Sequence, residues 1–302
     1  MHELRFALPT MQMAALSNVA SINAQSISAS SPLVICLHGY LDNANSFLPI
    51  LPLLSQHQCI AIDMAGHGAS SHRPVGAHYH LSDYAYDLYQ LIESQGFSHV
   101  VLVGHSLGGI VSSIYASTQA SQVLGYIAIE SIGPLSQSEE TTSEQLRDCF
   151  ASRNKALGPI KQPKNLQDLV RARSAISDLS DKNAEIILRR NVIEGSRDAE
   201  QLSNDATSRT SQLMWRTDKN LRTQSPYRMS EAQARNVLDN IRCPRGLILG
   251  EQGFAKIKQA LKQRVAQFGK VPVAVFPGGH HVHMESAQCV AEQINKWLDD
   301  FT

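Results

Sequence analysis

One short turn constrains this chain more than anything else in it: Gly104-His105-Ser106-Leu107-Gly108, followed by Gly109. It matches the pattern G-x-S-x-G. The apolar run Val100-Val101-Leu102-Val103 precedes it, and a segment of helical character follows. A strand, a sharp turn and a helix put the serine into a strained backbone conformation and lift its hydroxyl out of the sheet. Side chains at Gly104 or Gly108 would hold strand and helix apart. Alone, the pentapeptide also fits an ordinary strand-to-helix turn with a capping serine.

The flanking pattern favours a sheet. Short aliphatic runs recur at Leu33–Leu37, Cys59–Asp63, Val100–Val103, Tyr126–Ile129, Leu247–Leu249 and Val273–Phe276. Each is apolar on both faces, as in a strand buried within a parallel sheet. Helical spacing lies between them. Leu81, Tyr84, Ala85, Leu88, Leu91 and Ile92 share one face, with Ser82 placed to cap the start and Gly96 the end. Phe254, Ile257, Leu261, Val265 and Phe268 repeat at threes and fours, as do Val290, Ile294, Trp297 and Phe301. Strands alternating with helices predict a doubly wound, mostly parallel α/β sheet. The first 30 residues are expected to add antiparallel edge strands.

From Leu135 to Arg235 the alternation stops. No buried strand is apparent, and apolar residues recur at helical spacing: Leu166, Leu169 and Val170, then Ile187, Leu188 and Val192. A structureless loop of that length is improbable in a compact domain. The expected organisation is a sheet-bearing core over 1–134 and 236–302 and a helical cap over 135–235, lying over the carboxyl ends of the strands. The cap holds 17 basic residues against 14 acidic. That excess hints at acidic substrates and equally fits a solvated face.

Formal net charge is zero, which gives no electrostatic case for nucleic acid. No apolar run reaches membrane-spanning length, and the N-terminus, with Glu3 and Arg5, does not read as a secretory signal. Cys36, Cys59, Cys149, Cys243 and Cys289 form no C-x-x-C. Cys36, Cys59 and Cys289 sit in apolar segments, where cysteine is a small buried hydrophobe. A cytoplasmic protein without a disulfide framework is expected.

Three further motifs stand at strand ends in order: Leu37-His38-Gly39-Tyr40-Leu41-Asp42-Asn43, then Asp63-Met64-Ala65-Gly66-His67-Gly68-Ala69-Ser70, then Gly278-Gly279-His280-His281-Val282-His283-Met284-Glu285. With Gly104–Gly109 they make the chain resemble the α/β-hydrolase family over about residues 31–134 and 236–302. The stretch Trp215 to Pro244, with Ser225-Pro226-Tyr227-Arg228 and Ile241-Arg242-Cys243-Pro244, looks like the serine-hydrolase-like subgroup.

The resemblance implies roles. Ser106 would be the nucleophile, and it needs a base within hydrogen-bond reach. His280 has the family's spacing for that base, after Gly279 and five residues before Glu285. The oxyanion hole would be the backbone N–H groups of Tyr40 and Leu107. Asp63, Gly66, His67 and Gly68 would shape a nearby loop. A metal held by His280, His281 and His283 is disfavoured, because no carboxylate or cysteine with ligand spacing accompanies them. His281 and His283 are expected to line the site or to satisfy hydrogen bonds. No cofactor and no metal are implied.

The acid departs from the family. Its usual run, Gly-Glu-x-Asp, reads Gly250-Glu251-Gln252-Gly253 here. Glu130, which ends the run Tyr126–Ile129, and Glu251 both satisfy the order serine, acid, histidine. Glu130 is favoured: a carboxylate finishing an apolar strand needs a partner to offset its desolvation, and a histidine that becomes charged during reaction is one. The expected activity is hydrolysis of carboxylic esters, or of thioesters or amides, on a small-molecule acyl substrate. Carbon–carbon bond hydrolysis, a cofactor-free peroxidase-type activity and a non-enzymatic binding protein on the same scaffold are the alternatives. Dehalogenase and epoxide hydrolase chemistry are disfavoured, because those enzymes carry Asp where Ser106 stands.

Overall fold

The computed structural model describes residues 1–195 and 212–302. Its strands are β1 (His2–Ala7), β2 (Gln12–Ser17), β3 (Leu33–Leu37), β4 (Cys59–Ile62), β5 (Val100–His105), β6 (Val123–Ile129), β7 (Val192–Gly195), β8 (Gln212–Trp215), β9 (Arg245–Gly250) and β10 (Val273–Phe276). Its helices are α1 (Leu81–Gln95), α2 (Leu107–Thr118), α3 (Thr142–Ala156), α4 (Leu166–Ser174), α5 (Asp181–Asn191), α6 (Glu231–Asp239), α7 (Ala255–Gln263), α8 (Val265–Phe268), α9 (Val282–Glu285) and α10 (Ala287–Phe301).

Eight strands form one sheet in the order β1-β2-β4-β3-β5-β6-β9-β10. From β4 to β10 every pairing is parallel. The β1–β2 hairpin adds to β4 antiparallel, as the N-terminal reading anticipated. Both faces are covered, which is why the central strands are apolar throughout. Leu33, Ile35 and Leu37 pack into the core on the α1–α2 side, whereas Val34 and Cys36 pack into the α10 side with Val290, Ile294 and Trp297. The alternation of Cβ directions along β3 thus feeds two cores from one run.

The last strand differs from expectation. In β10, Val273 and Val275 are exposed, because β10 is the sheet's edge and its outer side is not packed over. Cys289, also expected to be buried, lies exposed on α10. The residue before α1 is His80, so Ser82 stands inside the first turn rather than at the cap; Gly96 closes the helix with φ 66°. The periodic run from Phe254 to Phe268 is two helices, interrupted at Arg264.

Between β6 and β9 the chain is mainly helical, through α3 to α6, with the two-stranded antiparallel ribbon β7–β8 that periodicity did not reveal. Residues 196–211 of this stretch lie outside the described residues. Val170, Leu179, Ala184, Ile187 and Leu188 make a small core of their own that reaches Met284. Hydrogen bonds dock α5 onto the loop after β3: Asn43 Nδ2 donates to Ile187 O at 2.8 Å and Asn45 Nδ2 to Ile186 O at 2.7 Å. Among the described residues, no helix is long and apolar enough to cross a membrane.

Candidate active site

The carboxyl ends of β3, β5, β6 and β10 deliver the sequence-singled residues to one region, where parallel sheets of this kind hold ligands. Ser106 follows β5 at φ 50° and ψ −112°, outside the region an L-residue adopts freely. Its N–H donates to Ile129 O at 2.9 Å, and its own carbonyl accepts from Ile110 N at 3.1 Å as α2 begins. Strand pairing on one side and helix on the other hold the strained turn in place.

Glu130 continues β6, also at positive φ, 47°. Its N–H donates to Ile248 O at 2.8 Å. Its carboxylate accepts from Gly250 N at 2.9 Å and Phe254 N at 3.2 Å. The side chain is 1% exposed, and Oε2 lies 3.3 Å from His280 Nδ1. Two backbone donors therefore fix the carboxylate while leaving it to orient the imidazole. Residue 253, where the family's aspartate would stand, is a glycine whose added Cβ would run into Glu130 Oε1. Glu251 is directed elsewhere: it is exposed, and among the described residues its carboxylate meets only Gln252 Nε2, at 3.5 Å. Of the two candidate acids, only Glu130 is brought to His280.

The imidazole of His280 is nearly buried and stacks on Phe254, with ring centroids 3.9 Å apart and planes 13° apart. Its carbonyl accepts from His105 Nε2–H at 2.9 Å. Among the described residues no hydrogen bond joins Ser106 Oγ to the His280 ring.

Tyr40 and Leu107 both line a cavity of about 1360 Å³, together with Ser106. Neither N–H donates to a described backbone carbonyl outside the regular elements. Leu107 is the first residue of α2, so its N–H has no partner within the helix. The turn after β3 is braced by His38, whose Nδ1–H donates to Gly39 O at 2.8 Å and whose Nε2 accepts from Met64 N at 3.0 Å. Burial outweighs these contacts and lowers its pKa to about 4, so the ring is neutral. The rest of the cavity wall comes from α1, α2, α3, the loop after Leu221 and α6; Tyr79, Ile110, Leu135, Leu221, Met229 and Val237 supply apolar or aromatic surface.

Asp63 accepts from Ala44 N and Ala69 N, each at 2.8 Å, and from Arg190 Nε at 2.8 Å, so it organises the loop after β4 as expected. His281 and His283 part company. His281 hydrogen-bonds to Asp178 and faces Asp42. His283 is fully buried and packed between Phe47 and His105; among the described residues neither of its ring nitrogens has a partner, and it is not among those that line the cavity. Burial pushes it down to about 3, which keeps it neutral.

Sequence reasoning gave no functional role to Asp42, His105, Arg173, Asp178 or Phe254, the last of which it placed only on a helical face. Asp42 and His105 sit inside motifs, which give them no role of their own; Arg173 and Asp178 lie in the helical stretch, where no motif marks them. Asp42, His105 and His281 offer atoms within 4.8 Å of one another, a group that could hold a cation. A metal there would compete for Asp42 with Arg173, whose guanidinium donates to Asp42 Oδ1 at 2.7 Å. It would also have to displace a proton from His281, which burial disfavours but which Asp42 and Asp178 push up to about 9.

Known proteins agree with this architecture. The profile of the alpha/beta hydrolase fold family matches residues 32–287. A serine hydrolase-like protein of Dictyostelium discoideum is 28% identical over 282 residues, covering 89% of this chain and 75% of that protein. Human serine hydrolase-like protein 2 is 27% identical over 295 residues, covering 90% and 88%. The crystal structure of a hypothetical protein from Pseudomonas aeruginosa superposes with a TM-score of 0.82 at 28% identity, covering 99% of this chain and 100% of that one. With the family matched across most of its length and such relatives along nearly all of it, the chain belongs to the α/β-hydrolase fold family, in its serine hydrolase-like subgroup.

Proposed function

We propose that this chain hydrolyses carboxylic esters through an acyl-enzyme, with Ser106 as nucleophile, His280 as general base and acid, and Glu130 as the orienting carboxylate. The observation that carries this reading is the buried Glu130 carboxylate, fixed by two backbone N–H groups and set 3.3 Å from His280 Nδ1. As Ser106 Oγ bonds to the ester carbon, its proton passes to His280 Nε2, and the carbonyl oxygen gains the negative charge. The N–H groups of Tyr40 and Leu107 receive that charge, each such donor contributing about 3–4 kcal/mol. The carbon–alkoxide bond then breaks, and the alkoxide leaves with the proton from His280. Water, deprotonated by the same ring, releases the acid from Ser106 and restores the hydroxyl. In this reading the Ser106–His280 hydrogen bond forms when substrate is seated, as catalytic hydrogen bonds tighten in the complex.

In this reading the described residues of the segment 135–235 serve as a cap that walls the cavity and limits water. At about 1360 Å³ the cavity exceeds the roughly 300–1,000 Å³ of usual small-molecule pockets. It therefore has room for the acyl and the alcohol portions together, and thioesters and amides fit the same chemistry. The free cysteines suit a reducing compartment, and we extend the reading to the cytoplasm.

A fluorophosphonate probe tests the proposal. Wild type is expected to label rapidly at Ser106, and Ser106→Ala to abolish labelling. Absence of wild-type labelling would sink the hydrolase reading in favour of a binding protein on this scaffold.

A further inference from the structure

We propose that Asp178, acting through His281 and Asp42, is a positioning residue that sets the placement of His280 and makes docking of the α4–α5 segment a condition of catalysis. The proposal rests on the hydrolase reading above.

Asp178 stands between α4 and α5, remote in sequence from every motif. Its two oxygens grip the residue next to His280 twice. Oδ2 accepts from His281 N at 2.7 Å, and Oδ1 accepts from His281 Nδ1–H at 2.7 Å. Backbone and ring of His281 are thus fixed by one carboxylate. The other ring nitrogen, Nε2, lies 3.3 Å from Asp42 Oδ2. Asp42 belongs to the turn after β3, two residues beyond Tyr40, and is 1% exposed. Its second oxygen accepts from Arg173 of α4.

The charges in this group balance. Two carboxylates face one guanidinium and one imidazolium; Asp42 and His281 are buried, and Arg173 and Asp178 carry the opposite charges out toward solvent, so neither buried ion lacks a partner. The pKa shifts agree. Burial disfavours the Asp178 carboxylate, but its bonds from His281 outweigh burial and hold it down at about 2. Gly279 is part of the fit, since a Cβ there would come within 2.5 Å of Asp178 Oδ2.

On the other side of His280, His105 Nε2–H holds the His280 carbonyl, and His105 Nδ1 lies 3.7 Å from Asp42 Oδ2. The residue before the nucleophile and the residue after the base therefore meet at Asp42. His280 is pinned through its own carbonyl and through its neighbour's N–H. Its ring can then meet Glu130 at one end and Ser106 at the other. Asp42, Asp178 and His281 do not line the cavity, so their loss should act on His280 rather than on substrate binding.

The experiment compares wild type with Asp178→Ala, Asp178→Asn and His281→Gln, using p-nitrophenyl butyrate turnover and fluorophosphonate labelling. Glu3→Gln is the control: it weakens the Arg190–Glu3 pair, which docks α5 elsewhere. We expect kcat and labelling rate to fall about 100-fold in Asp178→Ala, the scale of a small misplacement of a catalytic group, with KM within about twofold. Asp178→Asn, which keeps an acceptor, should be intermediate, and Glu3→Gln within about twofold of wild type. Asp178→Ala with unchanged kcat, or with KM raised and kcat kept, overturns the clamp. So does an equal loss in Glu3→Gln. If Asp178→Ala does not fold, Asp178→Asn and His281→Gln carry the same comparison. A separate readout is the His280 Nδ1 proton resonance. It should shift or vanish in Asp178→Asn if the clamp holds the ring on Glu130, and persistence unchanged refutes the clamp whatever the turnover. Failure of wild type to label refutes the hydrolase reading instead.

Discussion

Glu130 can reach His280 because residue 253 has no side chain, as a Cβ there would enter the space of Glu130 Oε1. Loss of the family's aspartate and arrival of the glutamate are one packing arrangement. The sequence carried half of it: the run Gly250-Glu251-Gln252-Gly253 shows that the usual acid is missing, and Glu130 ends an apolar strand. What it could not show is that Glu130 bends off β6 at φ 47°, which depends on the Ile248 carbonyl and the Gly250 and Phe254 N–H groups of a distant strand and loop. The expected consequence is sharp. Glu130→Gln should lower kcat on p-nitrophenyl butyrate by about 10²–10⁴-fold, because the amide neither fixes the tautomer nor offsets the imidazolium. Glu251→Gln should stay within about twofold of wild type, its carboxylate lying exposed and away from the ring. Gly253→Ala should lower kcat by displacing the Glu130 carboxylate. Equal losses in the two glutamine variants would return the acid to Glu251 or to neither.

Elements were legible where burial is symmetric and obscure where it is not. The central strands follow from their apolar runs because both faces are covered. The edge strand β10 was read as buried, although Val273 and Val275 are exposed, because valine suits a strand whether or not its face is packed. The helical run from Phe254 to Phe268 keeps its period across a break that only tertiary contacts create. At Arg264 the chain leaves the helix at φ −107° and ψ 32°. Its guanidinium, 2% exposed, donates to Ile132 O and Pro134 O at 2.8 Å each, and to the Glu231 carboxylate at 2.9 and 3.1 Å. One arginine thus ties the exit of β6, the start of α6 and the α7–α8 corner, the frame against which the cavity wall is built. Arg264→Ala leaves two buried carbonyls without their donor and should cost about 3 kcal/mol in urea unfolding. Glu231→Gln should cost less than about 1 kcal/mol, since that side chain is 36% exposed and water screens its charge. A cost for Arg264→Ala no larger than that of Glu231→Gln would show that the corner does not depend on the buried bonds.

Across the whole molecule, the sheet gathers residues from positions 38, 67, 105, 281 and 283 into one buried, histidine-rich region at its carboxyl ends, and this collection sets how the fold responds to pH. Sequence order could place each histidine after a strand but could not say which are desolvated and which are paired. Burial, with a push from neighbouring histidines at His67 and His283, holds His38 at about 4 and His67 and His283 at about 3, and His105 well below the usual value. The unfolded chain protonates these rings near pH 6.5, so stability is fully present above that pH and falls as the pH drops toward the folded values. Each contributes about 1.4 kcal/mol per pH unit, hence about 4 kcal/mol per unit around pH 5 for His38, His67 and His283 together. That is a large share of the roughly 5–15 kcal/mol that stabilises a typical fold. His281 works in the opposite direction. Burial opposes its charge, yet Asp42 and Asp178 prevail and raise it to about 9. Its contribution is complete below about pH 6.5 and lost as the pH rises through 9, at most about 3 kcal/mol. Urea midpoints should therefore peak near neutrality, fall steeply by pH 5 and fall more gently by pH 9.5. His283→Phe should make the acid limb shallower by one histidine's share, because it removes a buried ring that has no hydrogen-bond partner among the described residues. Asp178→Asn should flatten the alkaline limb and leave the acid limb between pH 6.5 and 5 unchanged. A midpoint that stays level from pH 7 to pH 5 would mean that these histidines take up protons in the folded chain as readily as in the unfolded one, and the neutral cluster beneath the candidate-site loops would have to be given up.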